Sequence, residues 1–123
     1  MQHSQFNAFC QALPETHYVM QWQQSDVWKV DSKVFAIGNW KNPQQGHISF
    51  RVSEHNFAVL QEQPGFRPAP YMASRGLKWI QIHDLDAVPC EQLHYYLRES
   101  HRIISLGLSK KRQKELGLNQ TQD

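Results

Sequence analysis

Apolar residues recur at helical spacing in some parts of this chain and at alternating spacing between them. The first helical pattern is formed by Phe6, Phe9, Cys10 and Leu13. We predict that Ser4 caps this helix and that it ends before Pro14, because the residue before a proline is driven out of the helical region. The chain therefore opens with an amphipathic helix.

Short apolar or alternating segments follow, which predict strands over residues 18–22, 27–30 and 34–37. The polar turns between them, 23–26 and 31–33, are too short for the crossover that parallel strands need. The strands are therefore predicted to pair as antiparallel hairpins. A loop rich in Gly, Pro and Asn leads to a fourth predicted strand over residues 47–52.

The second half of the chain predicts two further helices around one more strand. Ser53 is the predicted N-cap of a helix over residues 54–63, and Pro68 and Pro70 predict a stiff extended connector after it. Trp79, Ile80 and Ile82 mark the strand. A long amphipathic helix then begins near Pro89 and ends at Gly107.

Together these elements predict an α+β fold in which helices pack against an antiparallel β-sheet. We expect one domain over residues 1–112 and a frayed polar tail over residues 113–123. The length of 123 residues suits a single core, and 40% hydrophobic content argues against disorder.

The composition narrows the expected compartment. No apolar run approaches the roughly 18 residues of a membrane span, and the N-terminus lacks the basic and apolar regions of a secretory signal. Cys10 and Cys90 stand far apart without a paired motif, so we interpret them as reduced thiols. We expect a cytoplasmic protein with no membrane association.

The net charge of +2 is confined to the C-terminus, because residues 1–108 hold nine Lys/Arg and nine Asp/Glu. The cations beyond them are Lys110, Lys111, Arg112 and Lys114. Such a cluster can neutralise phosphates, but it can also be a solvated helix end that faces the negative pole of the helix dipole. The sequence pI of 8.6 lies below the value of about 9 typical of dedicated nucleic-acid-binding domains.

A second candidate binding surface combines cations with aromatic residues. Arg75, Lys78 and Trp79 lie together at a strand entrance, and Trp40 and Lys41 are candidate companions from the loop after the third strand. Interleaved cations and aromatics suit stacking on bases. The alternative for Trp79 is a core position set by its place in an alternating strand, which leaves Trp40 as the aromatic expected to be exposed.

No metal site, cofactor or catalytic centre is predicted. His94 and His101 share a helix face but lie about 10 Å apart along it, too far for one zinc ion without a third element. Asp84 and Asp86, two apart at a strand end, could face the same way as an acid pair, but a turn before a helix explains them equally well. Nucleophile-elbow, phosphate-loop and dinucleotide motifs are missing from the sequence, so we expect no enzymatic activity.

The order of several short motifs resembles the MmcQ/YjbR family of small bacterial proteins over roughly residues 4–112. The motifs are Leu13-Pro-Glu-Thr16, Val27-Trp-Lys-Val30, Lys33-Val-Phe-Ala36, Ile48-Ser-Phe-Arg-Val52, Pro64-Gly65, Pro68-Ala-Pro-Tyr71, Trp79-Ile80 and Lys110-Lys-Arg112. The resemblance implies a fold similar to the frataxin-like CyaY proteins and a DNA-binding role through a double-wing motif. The segment Gly107-Leu-Ser-Lys-Lys111 departs from the Lys-Leu-Pro-Lys-Lys common in the family, and His101 stands where tyrosine is common.

The leading hypothesis is a monomeric, non-enzymatic DNA-binding domain. Its predicted phosphate contacts are Lys110, Lys111, Arg112, Arg75 and Lys78, with Trp40 as a stacking platform beside Lys41. No recognition helix with a groove-reading pattern of Arg, Asn or Gln is visible. The alternative is an adaptor that binds a protein or small molecule in a groove formed by the proline loop and exposed aromatics, near Trp40 and Tyr71.

Overall fold

A computed structural model describes residues 1–41 and 46–120. In chain order its elements are α1 (His3–Ala12), β1 (Thr16–Gln21), β2 (Ser25–Val30), β3 (Lys33–Asn39), β4 (His47–Arg51), α2 (Glu54–Leu60), β5 (Phe66–Pro68), α3 (Pro70–Ser74), β6 (Trp79–Ile82), α4 (Cys90–Leu106) and α5 (Lys110–Leu116). A single 3-10 turn, Leu85–Ala87, precedes α4. Among the described helices, none has the length and apolar character that crossing a membrane requires.

The strands form one antiparallel sheet in the order β1-β2-β3-β4-β6-β5. The first four strands follow one another as hairpins, as the short turns predict. The chain then leaves the sheet through α2 and returns to form β5 and β6, with β6 beside β4. The predicted α+β fold with an antiparallel sheet is confirmed.

Helices α1 and α4 cover the same face of the sheet, α1 over β1 to β3 and α4 over β2 to β4. Each presents one apolar stripe to the strands, as the helical spacing of its apolar residues predicts. The core between them is made chiefly of Phe6, Cys10, Trp28, Val30, Ala36, Ile48, Phe50, Ile80, Ile82, Leu93 and Leu97. Helix α1 is capped by Gln2 instead of the predicted Ser4, and Ser53 caps α2 as predicted.

A buried hydroxyl joins α4 to two strands. Phe35 lies where the β2–β3 register shifts, opposite the step from Trp28 to Lys29. The Ser100 Oγ of α4 donates to the carbonyl of Phe35 at 2.6 Å and accepts from the backbone N–H of Arg51 at 2.9 Å. Ser100 and Phe35 are completely buried, so the hydroxyl supplies the Phe35 carbonyl with a partner in a place closed to solvent.

The residues before the two prolines are extended, as predicted, since Arg67 lies in β5 and Ala69 has φ −62° and ψ 121°, but each proline belongs to a regular element. Pro68 pairs with Ile80 as the last residue of β5, an edge strand where the missing N–H is tolerated. Pro70 is the first residue of α3, where its fixed φ suits a helix start. The connector is therefore a short strand followed by a short helix.

The prediction of a frayed polar tail is also wrong for residues 113–118. Ser109 caps α5 by accepting from the Arg112 N–H, and Gly117 ends the helix at φ 70°. The Gln113 side-chain amide donates to the carbonyl of Leu108 at 2.8 Å, and Leu118 lies in the core. The packed domain thus extends past residue 112 to Leu118, while residues 121–123 lie outside the described residues.

Candidate nucleic-acid interface

The strand register defines two opposite ends of the sheet. The start of β3, the end of β4 and the start of β6 lie together, and we call this the Lys33 end. The end of β3 lies beside the start of β4 and the end of β6, and we call this the Asn39 end. Helix α4 runs toward the Lys33 end, since its C-cap Gly107 packs beside the Lys33 side chain.

Arg75 and Lys78 lie at the Lys33 end, on the segment that joins α3 to β6. The Arg75 guanidinium is 5.6 Å from the centre of the Tyr71 ring, and the Lys78 ammonium is 5.0 Å from the centre of the Phe57 ring. The Lys78 carbonyl accepts from the Val52 N–H at 2.9 Å, which fixes this segment beside β4. Within residues 1–41 and 46–120, neither cation pairs with a carboxylate.

The tail cations reach the same end through α5. Arg112 Nη2 lies 2.9 Å from Asp31 Oδ1 in the β2–β3 turn, and Arg112 Nη1 lies 3.2 Å from Glu115 Oε2. The guanidinium holds the pKa of the Asp31 carboxyl below its usual range. Arg112 is therefore engaged with two acids, whereas Lys110 and Lys111 make no ion pair in the described part of the chain.

The helix dipole accounts for Lys114, which lies in the last turn of α5, but not for the other three tail cations. Lys110, Lys111 and Arg112 form the first turn of α5, which is the positive pole of that helix, and the last turn of α4 carries no cation. Like charges at a positive pole are mildly unfavourable for folding. An anionic partner would relieve that repulsion.

Trp40 and Lys41 lie at the opposite, Asn39 end, so the structure does not bring them together with Arg75 and Lys78. The prediction that Trp40 is exposed for stacking is wrong, because its ring stacks on His3 at 4.7 Å and packs against Phe6 at 5.4 Å. Gly38 permits this packing, since a Cβ there would lie 2.6 Å from both the Phe6 and the Trp40 rings. Lys41 is exposed, and its N–H donates to Asn39 Oδ1 at 2.9 Å.

The other predicted aromatic positions divide between core and surface. Trp79 is buried, as its alternating strand position predicts. Tyr71 on α3 is 70% exposed beside Arg75, at the Lys33 end. Because Tyr71 and Trp40 lie at opposite ends of the sheet, they cannot both line one adaptor groove at the proline loop.

Sequence reasoning missed an exposed apolar surface on the edge strand β1 and the turn after it. Met20 is 59% exposed and Trp22 56%, with Tyr18 on the same strand. A groove of about 310 Å³ runs beside this strand, lined by Asn7, Gln11, Tyr18 and Trp28. The apolar run of residues 18–20 was a usable signal for a strand, but only the strand order shows that β1 is an edge strand of the described sheet.

A buried carboxylate anchors the start of α1 to this same corner. Asp26 accepts a hydrogen bond from the Tyr18 hydroxyl at 2.5 Å and lies 2.5 Å from His3 Nε2. The bond to Asp26 raises the pKa of Tyr18 to about 12. Over the described residues, no three side chains of His, Cys, Asp or Glu come together as metal ligands.

Comparison with known proteins places this architecture in a family. A structure from Deinococcus radiodurans that carries a domain designated DUF419 superposes with a TM-score of 0.85 at 21% identity, covering 99% of this chain and 92% of that chain. A protein from Pseudomonas syringae superposes with a TM-score of 0.69 at 18% identity, covering 85% of this chain and 99% of that chain. No curated protein matches the sequence. The YjbR family model matches residues 11–103, and the chain belongs to the YjbR family.

Proposed function

We propose that this protein binds the phosphate backbone of DNA, without catalysis, at the Lys33 end of its sheet. The observation that carries the proposal is that two cation groups, about 35 residues apart in sequence, reach one end of the sheet. Arg75 and Lys78 precede β6, and Lys110 and Lys111 lie on α5 next to the β2–β3 turn.

The spacing of the two groups suits an extended polyanion. The starts of β3 and β6 are separated by β4, which amounts to two strand spacings or roughly 10 Å. That separation allows the groups to contact different phosphates of one duplex or single strand. Tyr71 is exposed beside Arg75, where it can stack on an unpaired base.

The expected binding is electrostatic and independent of sequence. The four proposed contacts can each neutralise one phosphate, since none of them pairs with an acid in the described part of the chain: Arg75, Lys78, Lys110 and Lys111. Counterion release then gives a slope of log affinity against log salt of about −3.6, or on the order of 100-fold weaker binding between 50 and 200 mM salt.

The test is fluorescence anisotropy of labelled duplex and single-stranded DNA at about 50 and 200 mM salt. The wild-type chain is compared with K110Q/K111Q and with R75Q/K78Q, each of which should reduce the salt slope by about 2. Removal of residues 109–123 is unsuitable, because it also deletes the buried Leu118. No binding at the lower salt concentration would refute the proposal.

A second candidate function is an adaptor that binds a protein segment along β1. The observation that favours it is the exposed apolar surface formed by Tyr18 and Met20 on β1 and by Trp22 in the turn after it, where β1 is an edge strand of the described sheet. An extended peptide could add to that edge through backbone hydrogen bonds. Peptides selected from a library for binding to the wild-type chain at high salt should not bind the Met20→Lys variant. They should still bind R75Q/K78Q. Equal binding by both variants would exclude the β1 edge.

A further inference from the structure

A cysteine and a histidine form a close pair at the first turn of α4. Cys90 is the first residue of that helix, after the N-cap Pro89, and His94 lies one turn later. Cys90 Sγ is 3.8 Å from His94 Nε2. Both residues are partly exposed, so a small solute can reach the sulfur.

The imidazole is held in place by the neighbouring helix. The His94 ring stacks on Phe9 of α1, with the ring centroids 4.2 Å apart and an interplanar angle of 2°. The Arg98 guanidinium lies 5.9 Å from the centre of the same Phe9 ring. This contact keeps Nε2 pointing at the sulfur instead of rotating into solvent.

The charges near the pair are few. Helix α4 carries Glu91 in its first turn and Arg98 one turn beyond His94. The 3-10 turn before α4 carries Asp86. Helix α1, which packs Phe9 against His94, contains neither Asp nor Glu nor Lys nor Arg. The start of α4 contributes unpaired backbone N–H groups and a positive dipole end, which favour an anionic sulfur.

The other cysteine provides an internal contrast. Cys10 is completely buried in the core, and burial raises the pKa of its thiol far above the usual range. It has no route to a solute in the folded state. A difference in reactivity between the two thiols therefore reports on Cys90 alone.

We propose that Cys90 is a reactive thiol activated by His94, and that it forms mixed disulfides with low-molecular-weight disulfides such as glutathione disulfide. His94 Nε2 accepts the thiol proton, and the Cys90 thiolate attacks one sulfur of the small disulfide. A new sulfur–sulfur bond forms to Cys90 as the original one breaks, and the departing thiolate takes up a proton. The step transfers one half of the disulfide and leaves one small thiol, with no other oxidant required.

The test measures the reaction of the full chain with 5,5′-dithiobis(2-nitrobenzoate) by absorbance, over pH 6 to 10. At pH 7 we expect one fast thiol per chain, absent in Cys90→Ser and about tenfold slower in His94→Gln. The increase in reaction rate that His94 can give at pH 7 is bounded at roughly 30-fold, because a free cysteine with a pKa of about 8.5 is only a few per cent ionised at that pH. Wild-type and His94→Gln rates should converge above about pH 9, where thiols ionise without assistance.

The matched control is His55→Gln, an exposed histidine on α2, which should react like wild type. Phe9→Leu keeps an apolar contact but removes the ring stack, so it should slow the reaction even if His94→Gln proves unstable. Mass spectrometry after incubation with glutathione disulfide should place the adduct on Cys90. Unchanged rates in both the His94 and Phe9 variants, or an adduct on Cys10, would overturn the proposal.

Discussion

At the scale of single residues, buried polar groups decide more of this structure than surface charges do. Ser100, His101 and Gln113 are each buried and each bonded to backbone carbonyls outside their own turn. The bonds of Ser100 and His101 tie α4 to a strand and a loop that are remote in sequence, and the bond of Gln113 ties α5 to the segment just before it. Their removal leaves backbone groups without partners, which costs more than an exposed hydrogen bond is worth.

Replacing Ser100 with alanine should destabilise the protein strongly. The variant leaves the Phe35 carbonyl and the Arg51 N–H without the hydroxyl that bonds both. We expect the free energy of unfolding to fall by roughly 2–4 kcal/mol in urea titrations. Ser4→Ala, at an exposed position of α1, is the control and should change it by less than about 0.5 kcal/mol. Equal effects would show that the hydroxyl bridge is dispensable.

His101 should make the protein less stable in mild acid. Burial lowers the pKa of His101 below the ordinary value of 6.5, and His47 is lowered in the same way with a contribution from Arg67. The unfolded chain then binds protons at a higher pH than the folded one, so stability is full above about pH 6.5 and declines as pH falls below it. His101→Gln keeps a donor for the Pro14 carbonyl, which His101 Nε2 approaches at 2.8 Å, without titrating.

The measurement is urea unfolding of the wild type and His101→Gln between pH 7.5 and 5. The variant should show a shallower decline, by at most one proton's slope of about 1.4 kcal/mol per pH unit. His55→Gln, which is exposed, should follow the wild-type slope. If the free energy of unfolding of His101→Gln declines with pH as steeply as that of the wild type, His101 does not cause the acid sensitivity. His47 would then be the next residue to replace.

At the scale of elements, α5 is a packed part of the domain and not an appendage. Its cap, its left-handed terminator and its buried residues form one unit that closes over the end of α4. The cations in its first turn are therefore held at a fixed place on the surface, beside the β2–β3 turn through Arg112 and Asp31. Cations held at a fixed place on the surface are better positioned to contact phosphates than cations on a flexible tail.

Leu118→Ala tests whether α5 is part of the cooperative fold. Leu118 is 4% exposed, so its truncation should lower the free energy of unfolding by roughly 2–4 kcal/mol. Leu106→Ala removes the same atoms from a site that is 48% exposed and should cost well under half as much. Urea unfolding monitored by tryptophan fluorescence and by circular dichroism gives both values. A cost for Leu118→Ala no larger than for Leu106→Ala would mean that the tail packs loosely.

At the scale of the whole molecule, the sheet separates two surfaces that lie far apart. The Lys33 end gathers the cations proposed to hold phosphates, while the Asn39 end carries Trp40, Lys41 and the start of α4 with Cys90. The antiparallel meander produces this division, because successive loops alternate between the two ends. Phosphate binding at the Lys33 end should therefore be separable from the chemistry of Cys90 at the Asn39 end.

Lys41→Gln provides the test of this separation. It removes one exposed cation from the Asn39 end and leaves the net charge of the Lys33 end unchanged. In anisotropy titrations it should bind DNA with the wild-type salt slope, whereas Lys78→Gln should reduce the slope by about 1. Equal losses in the two variants would indicate that DNA contacts depend on total charge and not on position.

The sequence alone determined the fold class, most element positions and the family resemblance that the YjbR match bears out. Periodicity and turn length carry that information locally, as the helix capped by Ser53 and the strands of the first hairpins show. Tertiary structure decided where those elements meet. Strand direction separates Trp40 from Arg75, and strand order exposes Met20 on an edge. The packing of α5 against the end of α4 buries Leu118 in a segment whose polar composition predicts fraying. Such contacts join residues remote in the chain, and neither spacing nor composition encodes them directly.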